Sequence, residues 1–255
     1  MDKKEEYNKL IQDVKASYKE SPSDCNSKGV NLIWCDDCEE INLWTYWQGR
    51  GNLTPMILLV GQDWGCPYDS ANEVVVKNIK EINAGNASNY CIGNISDTDR
   101  NLGVLFESIG YHDIINNKYS DLFFTNLSLG YRCKGTSGNL KDTWLKRDYK
   151  HFERLISILE PKIVICLGKA TLEGVIDALK VENKPKIKGY NDFIQSNLNP
   201  VITECHGQQV KIYGFAHCGT MGTLNRNKKK DRSLDNQIED WKRITGKKYI
   251  EKQRA

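Results

Sequence analysis

The sequence predicts an α/β protein in which a mostly parallel sheet is covered by helices on both faces. Three observations carry this. Four short apolar runs, Met56–Val60, Leu122–Phe124, Ile163–Cys166 and Val210–Phe215, are bounded by Gly, Asn, Pro or charged residues, as strands buried on both faces are. Segments with apolar residues at helical spacing lie between or after these runs, and strands separated by helix-length segments pair in parallel. The chain also has 255 residues and is 39% hydrophobic, enough for a large core that needs neither disulfide nor metal.

Taken in order, residues 2–19 place Tyr7, Leu10, Ile11, Val14 and Tyr18 on one stripe of an otherwise charged helix, which should dock on the main body. Ser21–Lys28 is turn-rich. Trp34–Gln48 is dense in tryptophan and reads as core. Leu102–Ile109 predicts a helix before the second strand. Tyr149, Phe152, Leu155, Ile156 and Leu159 form a stripe before the third strand, and Leu172, Val175, Ile176 and Leu179 form one after it. Residues 233–244 close the chain as a helix with Leu234, Ile238 and Trp241 facing inward. No repeat, low-complexity linker or composition break divides the chain, so residues 1–255 are expected to form a single domain.

Composition narrows the class. Mean hydropathy is -0.58, 27% of residues are charged, and the apolar runs are too short to span a bilayer, so no membrane partner is expected. Met1–Glu6 leads into charged residues without an apolar signal region, which points to the cytoplasm. Nine cysteines in such a chain read as buried thiols, redox groups or metal ligands before disulfides. The formal charge of +3 is small but uneven, with five cations against one Asp in Asn225–Arg232. That stretch is either a solvated loop or a nucleic-acid contact.

Ligands of open α/β sheets bind beyond the carboxyl ends of the strands, so the residues that follow each run are the informative ones. They are Gly61-Gln62-Asp63-Trp64-Gly65, Thr125-Asn126, Leu167-Gly168-Lys169 and His217-Cys218-Gly219. A carboxylate, an amide, a glycine turn entering a helix and an imidazole are thereby directed to one edge. Each alone is more often a turn, a cap or a satisfied structural group. Together they supply a general base, an amide able to read donors and acceptors, and a polarising imidazole.

These residues resemble a known family. The Gly61–Asp63 GQD, the Thr125–Asn126 TN, the Pro161–Ala170 PKIVICLGKA and the His217 loop leading into Asn225–Arg226 together resemble the uracil-DNA glycosylase superfamily, over roughly residues 35–230. The resemblance implies a three-layer α/β/α, flavodoxin-like fold with a four-stranded, mainly parallel sheet, and a monofunctional DNA glycosylase acting as a monomer on a flipped base. It implies that Asp63 orients and activates water and offsets positive charge on the sugar. His217 would donate to the pyrimidine O2 and Asn126 would bond the base edge, with Gly61, Gln62 (mainly its backbone amide), Trp64, Gly65, Tyr68 and Thr125 lining the substrate pocket. Trp64, Tyr68 and Tyr90 are the candidates to stack on the base. Met221 or Leu224 would fill the gap the base leaves. Gly168, Lys169, Asn225, Arg226 and Lys228, with the rest of Lys228–Lys230, would contact DNA.

Two departures bear on substrate and cofactor. Trp64-Gly65 stands where the uracil-specific branch has Pro-Tyr, and Cys218-Gly219 where Pro-Ser is usual. Space near C5 makes a bulky 5-modified, phage-type pyrimidine the alternative to uracil, and phage defence the alternative to base excision repair. Cys35, Cys38 and Cys133 resemble ligands of a structural [4Fe-4S] cluster in the iron-sulfur branch, with Cys25 or His151 as the fourth; zinc or free thiols are the alternatives. From other classes come a DNA-binding module without catalysis, and a small-molecule hydrolase that the basic stretch disfavours.

Overall fold

A computed structural model describes residues 2–21, 24, 26–84, 96–135, 142–196, 199–205 and 207–244. Its central sheet contains β2 (Ile57–Gly61), β3 (Leu122–Asn126), β5 (Ile163–Leu167), β6 (Val201–Cys205) and β7 (Gln208–Phe215), after a short β1 (Leu32–Ile33) and with β4 (Tyr131–Arg132) outside it. The order across the sheet is β3-β2-β5-β7-β6, with β3, β2, β5 and β7 parallel and β6 antiparallel to β7. The four parallel strands are the four apolar runs of the sequence. The expected strand number is corrected from four to five, because β6 is an edge strand whose residues alternate between half-buried and exposed and so form no apolar run.

Successive residues of the parallel strands point to opposite faces. Leu58, Val60, Phe123, Val164, Cys166 and Ile212 join one core with α1 (Lys3–Glu20), α6 (Tyr149–Leu159), α7 (Lys169–Ala178) and α8 (Tyr190–Ser196). Ile57, Leu59, Phe124, Ile165 and Phe215 join the other with α2 (Leu43–Trp47), α4 (Asp97–Glu107) and α10 (Asp235–Lys242). Three layers result. On the second face Phe106 packs on Phe124 at 5.0 Å and on Trp241 at 5.1 Å, and Trp241 stacks on Phe215 at 5.6 Å, so two helices are keyed to two strands by aromatic rings.

The N-terminal helix docks as its stripe predicts, with Tyr7, Leu10, Ile11, Val14 and Tyr18 buried. Its Tyr18 hydroxyl donates to Asp148 at 2.6 Å, and Asp148 also accepts the Leu129 N–H at 2.8 Å. Helix α1 thereby helps hold the chain just beyond β3. Remaining elements are α3 (Ser70–Asn83), α5 (Asp142–Arg147) and α9 (Thr220–Arg226), while β1 and β4 form a two-stranded antiparallel ribbon. Among the described residues no helix is long and apolar enough to cross a membrane.

What positions the site is the shared direction of the parallel strands. Numbered in chain order they lie 2-1-3-4, so successive connections leave in opposite directions on either side of β2 and β5. A crevice opens at such a reversal, beyond the carboxyl ends of the strands.

Candidate active site

Beyond β2 and β3 the chain continues as two zipped segments. Leu127 donates its N–H to the Gly61 carbonyl at 2.9 Å, Ser128 to that of Gln62 at 3.0 Å, and Arg132 to that of Trp64 at 3.2 Å. Gly61 has to be glycine, since a Cβ there would land on the Asn126 side-chain amide and 2.7 Å from the Trp44 ring. The GQD turn is thus pressed against Asn126 and Trp44, and Trp64 meets Trp44 edge-on at 5.8 Å.

Asp63 projects from this turn and pairs with Arg132, whose Nε donates to Oδ2. The pair is nearly sealed, with 2% of the Arg132 side chain and 9% of the Asp63 side chain exposed. Burial pushes the Asp63 carboxyl above its ordinary range, and the Arg132 guanidinium acts against that rise. Sequence reasoning missed Arg132. Its only local signal was a charge directly after the apolar stretch Leu127–Tyr131, where a buried cation needs a partner.

Asn126 is fully buried. With its amide oriented to satisfy both ends, the nitrogen donates to the Thr125 carbonyl at 3.2 Å and the oxygen accepts the Trp64 N–H at 3.3 Å. The Thr125 hydroxyl accepts from Asn42 at 2.8 Å, so Thr125 fastens α2 to β3. Gln62, Trp64 and Gly65 are half-buried around the turn, and Tyr68 is 55% exposed. Tyr90 lies outside the described residues.

His217 follows β7. Its Nδ1 accepts the Gly219 N–H at 2.9 Å, which places the ring proton of the neutral imidazole on Nε2. Burial lowers its pKa, which favours the neutral ring. Gln237 of α10 donates to the Ala216 carbonyl at 3.0 Å, Asn101 of α4 donates to that of Cys218 at 2.6 Å, and the buried Cys218 sulfur lies 3.6 Å from the Thr98 carbonyl. The loop is therefore clamped by both helices of one layer. Helix α4 also brings Asp99 to this edge, capped by Ser96 at 2.7 Å and with its pKa raised by burial. The sequence reading did not include Asp99.

Compared with known proteins, the chain matches no family model and no curated protein. Its site is accordingly read from its own residues.

The expected DNA contacts divide into two groups. Met221, on the first turn of α9, is 66% exposed, Leu224 is half-buried, and Asn225 and Lys228–Lys230 are exposed. The loop that presents the lysines is built on Asn227, which donates to Asp231 at 2.6 Å and to the Ser233 carbonyl at 2.8 Å and accepts from Asn236 at 2.9 Å. Lys228 and Lys229 take left-handed backbone conformations within it, with φ of 53° and 62°. Arg226, expected at a phosphate, forks the buried Asp240 carboxylate at 2.6 and 3.0 Å. Lys169 likewise pairs with Glu173 at 3.2 Å, one helical turn on, while Gly168 begins α7 with φ of 100°.

Cys35 and Cys38 are fully buried and joined to each other as a disulfide, the Cys133 sulfur accepts the Asn31 N–H at 3.3 Å, and His151 lies on α6, where burial lowers its pKa. Among the described residues no group of three His, Cys, Asp or Glu side chains could hold a metal ion. Cys25 lies outside them.

Proposed function

We propose that this chain is a monofunctional DNA glycosylase that hydrolyses the N-glycosidic bond of uracil or a related 5-modified pyrimidine after the nucleotide is flipped out of the stack. The observation that carries this reading is the delivery of Asp63, Asn126 and His217 to one sheet edge by β2, β3 and β7. The 2-1-3-4 order of the parallel strands supports a flavodoxin-like core to which β6 is added as an antiparallel edge.

The chemistry follows from the groups. When the C1′–N1 bond breaks, its electron pair leaves with the base and negative charge gathers on O2. His217 meets that charge as a neutral donor through Nε2, its tautomer already fixed by Gly219. The sugar becomes cation-like, and the Asp63 carboxylate offsets that charge and orients a water whose oxygen bonds to C1′. The water's proton passes to Asp63, whose raised pKa suits it to accept, and then to solvent. Asn126 reads the base edge by exchanging its contacts with Trp64 and Thr125 for it. Lys228–Lys230 hold phosphates, and Met221 fills the vacated space.

The test is incubation with single- and double-stranded oligonucleotides that carry uracil or 5-substituted pyrimidines, followed by alkali. Scission at one kind of base supports the reading and names the substrate. Bound DNA that is never cut, across the panel, contradicts it.

A further inference from the structure

We infer that Arg132 is a positioning residue for the hydrolytic carboxylate: the buried Arg132–Asp63 pair holds Asp63 ionised and turned so that Oδ1 faces the reacting sugar. The inference rests on the glycosylase reading above.

The pair is assembled by backbone. Arg132 is the last residue of β4, where it lies opposite Leu32 of β1, and its N–H is bonded to the Trp64 carbonyl next to Asp63. The following residue, Cys133, donates its N–H to the Asn31 carbonyl at 3.0 Å. Both sides of Arg132 are thus pinned, and its side chain, 2% exposed, has little room to leave the carboxylate. The guanidinium approaches through Nε to Oδ2. One carboxylate oxygen is committed to the cation, and the other is left to orient water.

Electrostatics give the arrangement a purpose. A carboxylate in a nearly sealed site drifts toward its protonated form, and a protonated Asp63 could neither offset a cationic sugar nor take a proton. A guanidinium cannot be deprotonated in a protein, so its correction holds at every working pH. Around the pair, the Cys66 thiol donates to the Cys133 carbonyl at 3.1 Å and the Tyr131 hydroxyl to the Glu40 carbonyl at 2.9 Å. Across the edge, His217 is bonded to Gly219 and Asp99 to Ser96. Among the described residues, Arg132 is the charged group set against Asp63.

The test compares pH profiles of single-turnover base release for wild type, Arg132→Gln and Arg132→Lys, on the oligonucleotide that wild type cuts. Arg132→Gln should move the acid limb of the profile up by about one pH unit or more, as expected when a buried carboxylate loses its cation. Arg132→Lys keeps the charge but not the planar geometry. It should leave the acid limb near that of wild type while lowering kcat about tenfold at unchanged KM. An Arg132→Gln profile that coincides with wild type overturns the inference. Should Arg132→Gln fail to fold, Arg132→Lys still decides, because an unchanged kcat overturns the positioning role. Wild type that releases no base at all defeats the glycosylase reading, and this inference with it, before either variant is compared.

Discussion

Gly219 donates its backbone N–H to Nδ1 of His217 at 2.9 Å, and this single bond decides what the imidazole can do. With Nδ1 occupied as an acceptor, Nε2 is the protonated nitrogen and the neutral ring can donate through it. Replacing His217 with Ala should lower base release ~10²–10³-fold, the usual cost of removing one donor aimed at developing negative charge, with DNA affinity retained. Single-turnover kinetics and a binding titration on the same oligonucleotide check both halves. Because burial lowers the His217 pKa, its folded form binds protons less readily than the unfolded chain. Its contribution to stability is therefore present above the ordinary histidine pKa and lost as pH falls through the lowered one.

Gly222 should prove as important as a residue that touches substrate. A Cβ at that position would land on the His217 carbonyl oxygen and 2.8 Å from the His217 Cβ. Alanine would otherwise favour helix α9. Gly222→Ala is expected to reduce base release at least tenfold by displacing the loop, since an ångström of misplacement at a reacting centre is costly. Activity equal to wild type would mean that the His217 loop tolerates movement.

Phosphate binding should separate the lysines from Arg226. Lys228→Ala/Lys229→Ala/Lys230→Ala should weaken binding to all DNA sequences alike and reduce the salt slope by about two to three. Asn227→Ala removes no charge, yet it should also weaken binding because Asn227 ties together the loop that presents the lysines. Arg226→Ala should lower thermal stability, by leaving the buried Asp240 with Arg243 as its remaining cation, and leave the salt slope intact. Fluorescence anisotropy across a salt series, with a melting curve for each variant, distinguishes these outcomes.

Glu40 offers a test of stability against pH. It is fully buried, accepts from the Tyr7 hydroxyl and the Ile41 N–H at 2.7 Å each, and its other oxygen lies 3.4 Å from Nη1 of Arg50. Burial pushes its pKa from 4.5 to about 7, and the Arg50 charge acts against the rise. The folded protein thus binds a proton that the unfolded chain has lost. Stability from this group is complete below the unfolded value and declines as pH rises toward 7, by about 3 kcal/mol in all. Glu40→Gln should flatten that decline in denaturant melts between pH 4.5 and 8. An unchanged slope would show that Glu40 is not the group responsible.

Much of this molecule was legible in the sequence because its parallel strands are buried on both faces. Leu58 and Leu59 point to opposite layers, and both must be apolar, so the run announces itself. Helix α3 was hidden by the reverse effect: Val74, Val75 and Val76 are consecutive β-branched residues, a strand-like signature within a helix. The residues beyond each strand could be listed in advance because strand direction fixes where they finish. Their partners could not. Arg132 is 69 residues from Asp63, and only the zipping of the segments beyond β2 and β3 brings the two together. Arg226 stood in a basic run, and its neutralisation by Asp240 depends on how α10 packs against α9. The resemblance to the iron-sulfur branch put Cys35, Cys38 and Cys133 at one site, and the closure of the first two on each other is a matter of the fold.

The central claim is that Asp63 drives hydrolysis at this sheet edge, and the rate of base release by wild type beside Asp63→Asn tests it most directly. The account predicts free base and a matching abasic site from wild type, with the variant slower by ~10²–10³-fold while DNA binding survives. Equal rates, or no free base from wild type on any substituted oligonucleotide that it binds, would contradict it.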